Sequence, residues 1–205
     1  MKEIFINLIF QLIERSDKVK YGVYIGSFNP PHNGHKKVIN TLITKKIVDK
    51  IIIVPSNSYW DKKVEVSAKD RINMLKFFKN KNVIINEKLN NKKYTYEVLD
   101  ELNKKYSNLY LIIGADNIIS FDKWKNVNKI LKHHVIVVGR NNIDVNKYLN
   151  NFDKSRFIIV DNINYDISST DIRKKIENYD FESLTSLLDK RIIKYIKDNN
   201  LYTLK

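Results

Sequence analysis

The stretch that decides the fold runs from Lys20 to Leu42 and reads KYGVYIGSFNPPHNGHKKVINTL. An apolar run, YGVYI (21–25), ends at Gly26. A loop with two prolines and two histidines follows, and a helical pattern then covers 34–46. The whole chain holds 4 histidines and 3 prolines, so this one turn is deliberately furnished. A strand feeding a helix through a stiffened turn is the first half of a βαβ unit. Gly26 lets backbone approach a ligand without a side chain in the way. Pro30 and Pro31 fix their φ angles, and Gly34 removes bulk at the helix start. His35 falls in the first helical turn, and His32 lies three residues before it. Both imidazoles are thereby placed where unpaired amides and the helix dipole favour an anion. Two such donors at a helix N-terminus make a cradle for a polyphosphate.

Outward from this turn the same alternation repeats. Strands are predicted at 50–55 (KIIIVP), 82–86, 109–114 (LYLIIG), 134–139 and 155–160. Helices are predicted at 67–80 with Ser67 as N-cap, at 95–106 capped by Thr95, and at 122–133. Another starts at 169–176 with Ser169 or Thr170 as its cap, and two more near 180–189 and 190–199 close the chain. Short continuous apolar strands alternating with helices indicate a doubly wound α/β fold, with a mostly parallel sheet covered on both faces and helices at the C-terminal end. If the strand order is 3-2-1-4-5, the first and fourth strands meet at the switch point, where ligands bind beyond the strand ends. Those are the strands that end in the turns YIGSF (24–28) and LIIGADN (111–117).

Composition narrows the class. The 205 residues with 43% hydrophobic content suit one domain, read as 20–205. Residues 1–19 form an amphipathic helical extension, broken by Asn7 and Gln11 and without a small-residue cleavage site. No apolar run is long enough to span a bilayer, so no membrane partner is expected. With no cysteine there is no disulfide, thiolate site or cysteine nucleophile, which fits a cytoplasmic protein. The formal charge of +14 is spread along the chain as lysine, with no arginine-rich arm. That favours small anionic substrates over nucleic acid. A homo-oligomer stays open.

The loop GSFNPPHNGH resembles the signature of the nucleotidyltransferase superfamily that carries an H-x-G-H motif, and ISSTDIRKK (167–175) resembles the second signature of the nicotinate- and nicotinamide-mononucleotide adenylyltransferases. LIIGADN, YTYEVL (94–99) and FDKW (121–124) fall in the order found in the bacterial nicotinate enzymes. The resemblance covers Lys20 to the C-terminal NNLYTLK, and implies a Rossmann-like domain that transfers an adenylyl group from ATP to nicotinate mononucleotide, giving deamido-NAD and pyrophosphate. It implies that His32 and His35 stabilise the α- and β-phosphates and that Arg173 holds the β- and γ-phosphates. Gly26, Ser27, Phe28, Gly34, Ser168, Ser169 and Thr170 complete the ATP cradle, with Gly114 and Asp116 at the ribose. Mg²⁺ is expected on the ATP phosphates, with no protein metal cage.

For the mononucleotide, the resemblance points to Tyr94 and Thr95 at a helix start, Trp124 stacked on the pyridine ring, Arg71 at its phosphate, and Arg140 at that phosphate or at the adenine. Two readings stand for several of these. Trp124 is a stacking platform or core packing, Asp116 a ribose ligand or a loop cap, and Arg71 a phosphate contact or a surface helix arginine. The segment PSNSYWDKKVEVSAKDR (55–71) lacks the histidine of the family's P-P-H-K element. Lys62 and Lys63 either supply that cation or belong to a solvated loop. Pantetheine-phosphate and cytidylyl transferases share the first loop, but ISSTDIR and YTYEVL argue against them. A nicotinamide-mononucleotide acceptor, an aminoacyl-tRNA synthetase fragment and a non-catalytic binding module remain as weaker alternatives.

Overall fold

The computed structural model describes residues 19–56, 66–139, 143–161, 163 and 167–203. Most of the 1–19 extension therefore lies outside the described residues. Six strands among them form one all-parallel sheet: β1 (Tyr21–Gly26), β2 (Lys50–Pro55), β3 (Val83–Ile85), β4 (Leu109–Gly114), β5 (His134–Val138) and β6 (Phe157–Val160). Their order is β3-β2-β1-β4-β5-β6. The expected order holds, with β6 added at the edge, and the switch point lies between β1 and β4. Gly22 faces β4 so closely that a Cβ there would lie 2.7 Å from Ile112 Cδ1.

The all-isoleucine look of β2 hides a period of two. Ile51 and Ile53 pack on one face with Val38 and Leu42 of α1 (Asn33–Thr44), Met74 and Leu75 of α2 (Ala68–Leu75), Ile172 and Ile176 of a helix near the C-terminus, and Ile192 and Ile196 of the last. Ile52 and Val54 pack on the other with Val98, Leu99 and Leu102 of α3 (Thr95–Asn103). Two apolar faces on one strand are what a sheet covered on both sides requires. Two one-turn helices follow, α4 (Ala115–Ile118) and α5 (Val127–Ile130), then α6 (Ser169–Glu177) and α7 (Lys190–Asp198). No helix among the described residues is long and apolar enough to cross a membrane.

Several expected helices differ from the outcome. The helix at 122–133 is broken into a 3₁₀ turn, Phe121–Lys123, and α5, because Asn126 takes the left-handed conformation (φ 53°, ψ 45°) that asparagine tolerates. The helix at 180–189 is only a 3₁₀ turn, Ser183–Thr185. Its start is occupied by Asp180, whose carboxylate accepts the Ser183 N–H in a local turn. The helix at 67–80 passes into a 3₁₀ turn after Leu75, and that at 95–106 stops at Asn103. Ser67 caps α2 as expected, its hydroxyl accepting the Asp70 N–H at 3.1 Å. The other caps lie one residue earlier than read: Tyr94 for α3 and Ser168 for α6.

Candidate functional site

A cavity of about 810 Å³ opens beyond the carboxyl ends of β1 and β4. Its lining includes Gly26, Ser27, Phe28, His32 and His35 from the first turn, and Gly114 and Asp116 from the second. Tyr94, Thr95 and Trp124 line its outer part. The fold thus gathers ten of the sequence-predicted residues around one space.

The first turn is built to hold its shape. Phe28 sits at φ 47°, a conformation non-glycine residues rarely adopt, with its ring 2% exposed. That ring presses against Gly26, where a Cβ would lie 3.3 Å from it. His32 is the N-cap residue of α1 and is 3% exposed. The two imidazoles stack with centroids 3.7 Å apart. The His32 backbone N–H donates to His35 Nδ1 at 3.2 Å. An accepting Nδ1 puts the proton of a neutral His35 on Nε2, so that edge is a hydrogen-bond donor. Gly34 is buried inside the first turn of α1 and lies outside the cavity lining.

The second motif stands behind the first turn and does not line the cavity. Ser168 caps α6 by accepting the Thr170 N–H at 3.2 Å. Ser169 Oγ donates to the Pro30 carbonyl at 3.1 Å. Arg173 donates from Nη1 to the Asn29 carbonyl at 2.8 Å and from Nη2 to Thr170 Oγ1 at 3.2 Å. The start of a second helix therefore abuts the histidine loop, and the guanidinium keeps further N–H donors beyond these two bonds.

Across the cavity, Glu97 Oε2 accepts the backbone N–H groups of Tyr94 and Lys93, both at 3.1 Å, closing the first turn of α3 on itself. Trp124 is half-buried, its ring centroid 5.2 Å from that of Phe121. It is thus both a core contact and part of the cavity wall. Asp116 is exposed in the first turn of α4, and its carboxylate fills the space that a Cβ on Gly114 would need. Lys92, Lys93, Lys123 and Lys125 line this side as well. Sequence reading did not single these four out, because lysine is so frequent along the chain that position gives no contrast.

Arg71 is placed elsewhere than expected. It is absent from the cavity lining and is not a surface helix residue. It is 2% exposed, and its Nη1 donates to the carbonyls of Ser27 and Ser56 at 2.5 and 2.7 Å. It joins the turn after β1 to the end of β2, and burial lowers its pKa from the ordinary value. Lys62, Lys63 and Arg140 lie outside the described residues. Among the described residues no group of three or more His, Asp or Glu side chains is arranged to hold a metal ion.

Comparison with known proteins gives consistent matches. The cytidylyltransferase-like family model matches residues 23–175. A protein of Fusobacterium nucleatum named "Probable nicotinate-nucleotide adenylyltransferase" is 34% identical over 194 residues, covering 87% of this chain and 97% of that protein. One of the same name from Borrelia hermsii is 36% identical over 186 residues, covering 86% and 94%. Among solved structures, the Plasmodium falciparum nicotinic acid mononucleotide adenylyltransferase complexed with NaAD superposes with a TM-score of 0.76 at 22% identity, over 90% of this chain and 97% of that one. The same enzyme complexed with APC gives a TM-score of 0.72 at 21% identity, again over 90% and 97%. These last two likenesses establish a shared fold.

Proposed function

The chain belongs to the cytidylyltransferase-like family, and from that premise we propose that it transfers the adenylyl group of ATP to nicotinate mononucleotide, giving deamido-NAD and pyrophosphate. One observation carries the reading beyond the names of relatives: a single cavity has stacked histidines at a helix N-terminus on one wall and an aromatic, lysine-lined surface on the other. The first suits a triphosphate, the second a flat acidic ring.

In this reaction a phosphate oxygen of the mononucleotide attacks the α-phosphorus of ATP. The P–O bond to the β-phosphate breaks, and pyrophosphate leaves with that electron pair. The attacking phosphate is already ionised at neutral pH, so no side chain need remove a proton. Catalysis rests on alignment and on stabilising charge as it develops. The Nε2–H edge of His35 and the buried His32 act on the α- and β-phosphates, helped by the dipole of α1. Arg173 and the first turn of α6 act on the β- and γ-phosphates. Gly114 and Asp116 face the ribose, and Tyr94, Thr95 and Trp124 receive the pyridine ring. Mg²⁺ bound to the triphosphate would neutralise phosphate charge. A cytoplasmic location belongs to the same reading.

The test is pyrophosphate release from MgATP with a panel of phosphorylated acceptors. Nicotinate mononucleotide is expected to give the highest kcat/KM, at least ~10-fold above nicotinamide mononucleotide, because the first amides of α3 and the lysines favour a carboxylate over a neutral amide. Turnover only with phosphopantetheine, or with no acceptor, would overturn the reading.

A further inference from the structure

We propose that Tyr202 is a positioning residue for adenylyl transfer: its hydroxyl fixes Asn29, and through Asn29 the loop that presents His32 and His35. The proposal rests on the reaction assigned above. Tyr202 is 3% exposed, and its hydroxyl donates to Asn29 Oδ1 at 2.7 Å across 173 residues of chain. Asn29 is itself 3% exposed. A neutral polar pair so deep in a protein is favourable only if each partner is satisfied. Tyr202 also stands at φ 63°, strained for a tyrosine, so its ring is held in place against a local preference.

What makes this pair more than an anchor for the chain end is where it acts. Asn29 directly precedes Pro30, Pro31 and His32. The prolines have fixed φ angles, so a tilt at Asn29 is passed on to His32 and is not absorbed between them. The backbone of the same residue is already held by Arg173 through its carbonyl. Without Tyr202 the loop would keep that backbone bond and lose the side-chain bond that sets rotation about it. Burial pushes the Tyr202 hydroxyl far above its usual ionisation range, so it stays a donor at every working pH. Tyr202 does not line the cavity. Its hydrogen bond reaches the histidine loop through Asn29.

The experiment compares wild type, Tyr202→Phe and Thr203→Ala by pyrophosphate release, with thermal unfolding of each. Thr203 bonds only the nearby Asn200 carbonyl among the described contacts, so its variant reports general loosening of the chain end. Tyr202→Phe keeps the ring and loses the one hydroxyl. It is expected to lose about 10-fold in kcat with KM for the mononucleotide within about twofold, whereas Thr203→Ala keeps wild-type kcat. A lower unfolding temperature with kcat within about twofold of wild type would reduce Tyr202 to a structural anchor and overturn the proposal. Should Tyr202→Phe fail to fold, Asn29→Asp, which keeps an acceptor oxygen, is compared with Asn29→Leu. Retention of kcat in the first and loss in the second supports the proposal; equal loss overturns it. Absence of turnover in the wild type with every acceptor strikes the assigned reaction instead, so the two failures are distinct.

Discussion

The two walls of the cavity are built in opposite ways. The histidine wall is tied to distant parts of the molecule: Ser169, Arg173, Asn33 with Ser186, and Tyr202 hold it through bonds spanning 139, 144, 153 and 173 residues. The lysine wall is tied mainly to itself, the start of α3 being closed by bonds spanning 3 and 4 residues. Its helix after Trp124 is interrupted at Asn126. Transition-state stabilisation is lost when donors move by fractions of an ångström. Recognition of an acidic ring by stacking and charge tolerates more movement. The braces lie where geometry matters most.

The largest break in this comparison is His35→Ala. Removing one transition-state donor from the braced wall is expected to lower kcat by ~10²–10³-fold with little change in KM for ATP, as steady-state kinetics would read. Next is Trp124→Ala on the other wall. It is expected to raise KM for the mononucleotide by about 10-fold and to leave kcat nearly intact, which reflects stacking lost equally in ground and transition states. If Trp124→Ala instead lowered kcat as far as His35→Ala does, the two walls would not differ in kind.

A smaller effect sharpens the contrast. Lys93 and Lys125 are exposed and line the cavity. Replacing both by alanine is expected to raise KM for the mononucleotide about threefold at low ionic strength and to flatten the salt dependence of kcat/KM. His35→Ala is expected to leave that salt dependence unchanged.

The smallest effect is on stability, at the support of the braced wall. Asp189 caps α7, pairs with Arg191 at 2.8 Å and reaches Lys36 of α1 at 3.4 Å. Hydrogen bonds from Arg191 hold its carboxyl well below the usual range. A carboxylate whose folded pKa is depressed contributes stability above its unfolded value near 3.8, and loses it as pH falls toward the folded value. Asp189→Asn is therefore expected to cost about 1 kcal/mol at neutral pH. Urea unfolding curves of the two proteins should converge as pH falls below about 4.

The braced wall was also the more legible of the two. Its glycine, prolines and histidines sit in one continuous stretch, and each has a local physical reason to be there. The switch point followed from strand alternation once the order 3-2-1-4-5 was assumed, and it brought Gly114 and Asp116 to the same crevice. What stayed hidden was whatever depends on distant partners. Arg71 reads as any helix arginine until the fold buries it against the Ser27 and Ser56 carbonyls. Tyr202 and Asn29 carry no sign that they meet. The lysine wall was obscure for a different reason: its charged residues match the background of the whole chain. The expected helix at 122–133 failed at Asn126, where apolar periodicity continues through a residue that adopts a left-handed turn.

The long reach between Asn29 and Tyr202 has a consequence for how the protein comes into being. Chains are made from the N-terminus, so the histidine loop leaves the ribosome early and the residue that fastens it leaves some 173 positions later. In the first part of that interval β1, β2 and β3 can pair with one another, but β4, the other side of the crevice, follows only after β3. Until β4 is made, a ligand cannot rigidify the loop, because the opposite wall does not exist. The signature residues are therefore in place well before the contact that fastens their loop, and full activity is expected to wait for the segment that follows α7.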